Sequence, residues 1–144
     1  MRRAFDLASL AAEAGEVPVG AVIIDLAGTV VGESGNAPIG QHDPTAHAEI
    51  LAIRAACEHQ KNYRLPGHTL YVTLEPCTMC AAAIANARIA RVVYAASDPK
   101  GGAVESGVQF FDAPTCHHRP EVSSGLNADE SAEMLRAFFR ARRK

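Results

Sequence analysis

The sequence predicts an α/β fold: a three-layer α/β/α sandwich built on a mixed sheet of about five strands. Three observations lead there. The predicted elements run α-β-β-α-β-α-β-(β)-α, an order that places helices on both faces of a sheet. Val19-Gly20-Ala21-Val22-Ile23-Ile24-Asp25 is an almost continuous apolar run, as expected of a strand covered on both sides. The chain has 144 residues, 48% of them hydrophobic and 21% charged, which suits one globular domain, residues 1–144, burying its core without staples.

Each element has its own signature. Ala4, Leu7, Ala8, Leu10, Ala11 and Ala14 recur at helical spacing from about Arg3, with Gly15 as the stop. Pro18 leads into the first strand, Leu26-Ala27-Gly28 connects, and Thr29 to Asn36 returns as the hairpin partner. Gly32 and Gly35 weaken that returning strand, or mark a bulge and a close backbone approach. Asp43-Pro44 has the form of an N-cap followed by proline at the first helical position. The helix it opens extends to about Gln60, with Ile50, Leu51, Ile53, Ala56 and Cys57 on a broad apolar face. Thr69 to Leu74 is a brief β-rich run, Cys77 to about Asn86 a helix of small residues, and Arg91 to Ala95 the next strand. Ser97 to Pro120 is irregular, with a helical turn near Val108 to Phe111, and Glu121-Val122-Ser123 is a candidate final strand. Asn127-Ala128-Asp129-Glu130 fits a capping box, and the helix it starts has Met134, Leu135, Phe138 and Phe139 as its expected buried stripe.

No apolar run approaches the roughly 20 residues needed to span a bilayer, so no membrane partner is expected. Met1-Arg2-Arg3 faintly suggests a signal peptide, but Asp6, Glu13 and Glu16 make the segment an amphipathic helix. Four cysteines without a secretory signal point to a reducing compartment, and the chain reads as cytoplasmic. The net charge of −2 gives no bulk sign of a polyanionic partner. Arg136, Arg140, Arg142, Arg143 and Lys144 nevertheless crowd one segment, either a solvated helix end favoured by the helix dipole or a nucleic-acid contact patch.

The chemistry concentrates at two helix starts. Cys77 and Cys80 are three apart in a first turn, so both sulfurs face one side and the helix N-terminus favours their thiolates. Alone, the pair fits a redox couple, half a zinc ribbon or a metal site. His47-Ala48-Glu49 narrows this. Residues two apart lie on nearly opposite sides of a helix, so His47 and Glu49 converge only if the helix meets the ion end-on. Two sulfurs and one nitrogen leave the fourth tetrahedral position to water, the mark of a catalytic zinc. The metal would lower that water's pKa to near neutrality and Glu49 would take its proton. A closed site using Cys116 with His117 or His118 is the structural rival, and it leaves His47 and Glu49 unexplained. On spacing alone, iron suits the same donors.

His-Ala-Glu followed by Pro-Cys-x-x-Cys resembles the signature of the zinc-dependent nucleoside and nucleobase deaminases. Glu16 to Val22, Asn36, His42 to Ile50, Leu70 to Ala81 and Asp98 to Ala103 are similar to bacterial tRNA-specific adenosine deaminases, in the cytidine/deoxycytidylate deaminase superfamily. The resemblance implies a cytidine deaminase-like fold and conversion of adenosine to inosine at the wobble position of a tRNA anticodon. It implies one Zn2+ per subunit on His47, Cys77 and Cys80, with Glu49 moving protons. It further implies nucleoside contacts from Asn36, the backbone of Ala48 and Leu74-Glu75-Pro76, and apolar walls from Val17 and Pro18. Asp98 would lie against the neighbouring ribose or backbone, and Lys100 could meet phosphate. Homodimers are implied as well. An anticodon loop presents unstacked, phosphate-flanked bases, which makes Arg140, Arg142 and Arg143 credible backbone contacts. Two other readings share the motif: a deaminase of free guanine or cytosine, and a catalytically silent, zinc-stabilised RNA-binding module, which would have no use for Glu49.

Overall fold

A computed structural model describes residues 1–143; Lys144, counted above with the basic cluster, lies outside the described residues. The sheet has five strands, β1 (Gly20–Ile24), β2 (Val30–Gly35), β3 (Thr69–Leu74), β4 (Arg91–Ala96) and β5 (Glu121–Ser124), in the order β2-β1-β3-β4-β5. β1 is antiparallel to both β2 and β3, whereas β3, β4 and β5 run parallel, so the sheet is mixed. The helices are α1 (Arg2–Glu13), α2 (Ala48–Gln60), α3 (Thr78–Asn86) and α4 (Ala128–Arg142). A short 3-10 turn occupies Phe110–Asp112.

α1 and α4 share one face, tied by Arg2 to Glu130 at 2.8 Å and by Arg142 donating to the Gly15 carbonyl. α2 and α3 pack together on the other. Glycine decides how closely the layers approach. A Cβ on Gly20 would lie 1.9 Å from the Ala4 carbonyl oxygen of α1, and one on Gly32 would lie 2.4 Å from that of Ala52 in α2. Both helices therefore rest on the sheet through backbone and alanine. This also explains why α1 buries Ala4, Phe5, Ala8 and Ala11 while Leu10, expected on the apolar face, is 54% exposed. The predicted bulge lies in the returning strand, at Val31, which has no partner because Ile23 and Ile24 pair with Gly32 and Val30; Gly32 and Gly35 mark close approaches. Between the layers, Leu70, Val72, Ile84, Ile89, Val92 and Tyr94 fill the centre of the core.

Two expectations about the last helix are corrected. Asn127 sits at φ 60°, so its side chain makes no cap hydrogen bond and the capping box does not form. Only Ser131 of α4 is buried, its hydroxyl donating to the Thr73 carbonyl; Met134, Leu135 and Phe138 are half-covered and Phe139 is exposed. The pattern reported an amphipathic helix correctly, but β3 and β4 cover only the first half of its apolar side.

Candidate metal centre and active site

Because β1 runs antiparallel, its start lies beside the carboxyl ends of β2, β3 and β4. Val17 and Val19 thus meet Asn36, Leu74 to Cys77, and Ala96 to Asp98 at one end of the sheet, outside the strand carboxyl ends where open α/β sheets bind ligands.

α2 begins at Ala48, later than the Asp43-Pro44 pattern predicts. The Asp43 carboxylate instead accepts from the Thr45 N–H (2.9 Å) and hydroxyl (2.7 Å), closing a turn before the helix. His47 is then the N-cap residue, in extended conformation, and Glu49 lies in the first turn. The Asn36 side-chain oxygen Oδ1 accepts the Ala48 N–H at 2.7 Å, supplying from just past β2 the cap that His47 does not. Cys77 is likewise the N-cap residue of α3, and Cys80 is buried in its first turn. The two helices meet end-on, with their chemistry in the capping turns.

His47 Nδ1 lies 3.6 Å from Cys77 Sγ and 3.5 Å from Cys80 Sγ. One donor atom from each of these three residues lies within 4.8 Å of the others. A zinc ion with ordinary bond lengths and tetrahedral angles requires nitrogen–sulfur separations of about 3.6 Å, so the donors fit it in type and spacing. Hydrogen bonding from Cys80 pulls the Cys77 thiol down to about 4, and that same bond together with burial pushes Cys80 up. The Cys77 sulfur in turn raises His47. A thiolate beside a second sulfur and an imidazole is a donor set that suits a metal cation. Glu49, 4% exposed, is pushed up to about 7 first by burial, against hydrogen bonds from its own backbone N–H and from Cys80.

A cavity of about 330 Å³ opens onto His47, Glu49 and Cys77, walled by Val17, Val19, Asn36, Pro38, Leu74, Glu75, Asp98 and Gly101. Val17, Leu74 and Asp98 also line a second cavity of about 560 Å³, whose far side is Lys100, Leu135, Phe139 and Arg143. A third, of about 270 Å³, shares Val17, Asn36 and Pro38 and ends at Phe138, Phe139 and Arg142.

Other residues singled out in the sequence are enclosed by the fold or already hold partners. Pro18 and Pro76 are fully buried and line none of these spaces. The Ala48 N–H is taken by Asn36. Both Glu75 oxygens accept hydrogen bonds from the 98–106 loop; burial alone would raise its pKa, but the loop donors hold the carboxyl below its ordinary range. Arg140 pairs with Glu133 at 3.0 Å, and Arg142 lies 4.6 Å over the Phe138 ring. The Cys116 thiol donates to the His118 carbonyl, and His118 Nε2 donates to that of Ile89, so this loop is internally satisfied. Among the described residues, only His47, Cys77 and Cys80 gather as three such ligands. Cys57 packs at the core edge, where burial pushes its thiol up. Sequence reasoning missed Val19, Pro38 and Gly101, which are apolar or turn residues without a chemical signature.

Three ligands with one coordination position left for water, beside a buried carboxylate, define a hydrolytic metalloenzyme site. A family model described as the cytidine and deoxycytidylate deaminase zinc-binding region matches residues 1–96. The chain is 63% identical to a tRNA-specific adenosine deaminase from Agrobacterium fabrum, over 92% of this chain and 87% of the relative. It is 52% identical to one from Haemophilus influenzae, over 100% of this chain and 83% of the relative. A solved structure from studies of A-to-I editing by tRNA:A34 deaminases superposes with a TM-score of 0.91 at 61% identity, covering 94% of this chain and 97% of that one. A guanine deaminase from Bacillus subtilis superposes with a TM-score of 0.66 at 36% identity, covering 99% and 91%. The chain belongs to the zinc-dependent cytidine and deoxycytidylate deaminases and, within them, to the tRNA-specific adenosine deaminases.

Proposed function

We propose that the chain hydrolyses adenosine to inosine at the wobble position of a tRNA anticodon, releasing ammonia. The observation that carries this reading is the convergence of His47, Cys77 and Cys80 with buried Glu49 on one cavity wall. Zinc held by those three residues supplies Lewis-acid activation of water near neutral pH. Glu49, buried beside the donors, takes a proton from water, protonates an adenine ring nitrogen and delivers a proton to the departing amine. Asn36, its oxygen fixed by Ala48, has its NH2 left to donate to the nucleoside. Val17 and Leu74 are apolar walls for the base, Asp98 faces its flank, and Lys100 and Arg143 line the adjoining cavity where phosphates would pass.

The names of the relatives support RNA as substrate, and so does the shared lining of the three cavities, which suits a base everted from a chain. An anticodon loop also lowers the cost of eversion, because its bases are already unstacked. The likeness to a guanine deaminase favours a second reading, a free base as substrate. One assay separates them: zinc-loaded protein with an anticodon stem-loop carrying a wobble adenosine, in parallel with adenosine, guanine and cytosine. Inosine in the RNA alone is the expected result, and turnover of a free base without the RNA overturns the proposal. A homodimer and a cytoplasmic location belong to the same proposal, the first checked by sedimentation equilibrium; no helix among the described residues is long and apolar enough to cross a membrane.

A further inference from the structure

Glu75 follows β3 directly and stands two residues before the ligand Cys77. It is 2% exposed, and its carboxylate is enclosed by five donors from a single loop. Oε1 accepts from the Asp98 N–H and the Ser106 hydroxyl, each at 2.9 Å. Oε2 accepts from the N–H groups of Val104 (3.0 Å), Glu105 (3.0 Å) and Ser106 (2.9 Å). A carboxylate offers about four lone-pair sites, so none remains for a substrate. The loop is shaped around this group. A Cβ on Gly102 would lie 2.4 Å from the Glu75 carboxyl carbon, and Gly107, at φ +55°, faces the Gly102 carbonyl. The Ala103 N–H donates to the Pro76 carbonyl at 2.9 Å, a second tie to the metal-ligand segment. The other side of the same loop brings Asp98 and Gly101 to the catalytic cavity and Lys100 to its neighbour.

We propose that Glu75 is a positioning residue: it fastens the 98–106 loop to the metal-ligand segment and so sets the wall that receives the nucleotides beside the reacting base. This rests on the RNA reading above and reassigns Glu75 from a nucleoside contact to an anchor for one. Removing the acceptor leaves buried N–H groups to seek water, which loosens the loop and not the reacting centre. The effect therefore falls on substrate binding.

The test uses zinc-loaded full chain, Glu75→Gln and Ser106→Ala, with the stem-loop as substrate and amide hydrogen exchange as a second readout. Ser106 lines none of the three cavities, and its hydroxyl donates to Glu75 Oε1. Glu75→Gln is expected to raise KM about tenfold with kcat changed less than about twofold. Ser106→Ala should raise KM about threefold, and the double variant should be no worse than Glu75→Gln alone. Amides of Val104, Glu105 and Ser106 should exchange about tenfold faster in Glu75→Gln, with zinc content unchanged. A loss of kcat at constant KM would place Glu75 on the reacting atoms and overturn the proposal. So would an unchanged KM in both variants beside a lowered melting temperature. If Glu75→Gln does not fold, Ser106→Ala decides. No turnover of RNA by the parent chain would sink the activity reading, while unchanged exchange in the variants would sink the anchor.

Discussion

As the proposed proton shuttle, Glu49 has to be buried and ionisable at once. Burial, reinforced by the Cys77 charge and opposed by the Cys80 hydrogen bond, pushes its pKa up to about 7 in the metal-free site. Glu49→Gln keeps the shape and removes the shuttle. Turnover should fall roughly a hundred- to ten-thousandfold, while zinc measured by plasma emission stays at the parental ratio; loss of metal would make Glu49 a ligand. The same variant has a pH signature after chelation. A carboxyl raised from about 4.3 in the unfolded chain to about 7 binds more protons folded than unfolded, so stability falls as pH rises across that window. Chelated Glu49→Gln lacks that loss. It should exceed the chelated parent by about 3–4 kcal/mol at pH 8, a difference that vanishes near pH 4 in urea titrations.

At the scale of elements, two ligand-bearing helix starts depend on how close their helices sit to the sheet. Gly32→Ala would press a Cβ against the Ala52 carbonyl oxygen and, at 2.6 Å, the Ala56 nitrogen. The displaced α2 should cost about 1–3 kcal/mol in urea unfolding. Zinc affinity should fall with it in a competition titration, because His47 begins that helix. The elements were largely legible, and β3 occupies the run Thr69 to Leu74 that β-rich composition marks out. The metal set was legible because its residue types and spacings are themselves the chemistry. What was not legible depends on distant partners. Asp43-Pro44 looks like a cap, but its carboxylate closes a turn onto Thr45, and the capping oxygen arrives from the side chain of Asn36, just past β2. Glu75 looks like a substrate contact until the loop that consumes its oxygens, some thirty residues on, is folded around it.

Across the whole molecule, the basic segment divides into unequal parts. Arg140 shares the Glu133 carboxylate with Arg136 and Arg142 is held at Gly15, while Arg143 lines the cavity that adjoins the active site. Arg143→Ala should therefore reduce the salt slope of RNA binding by about 1, and Arg140→Ala should change it less, both read from binding isotherms at several salt concentrations. An unchanged slope in Arg143→Ala would return this segment to a solvated helix end. The placement of the helices has a further effect. His47, Cys77 and Cys80 all come from α2 and α3, on one face of the sheet, and α1 and α4 on the other contribute no ligand. Stripping the metal thus removes cross-links from one layer only, and the sheet stands between that layer and the other. In the stripped chain, amide exchange is expected to rise at the starts of α2 and α3 while α1 and α4 keep their protection.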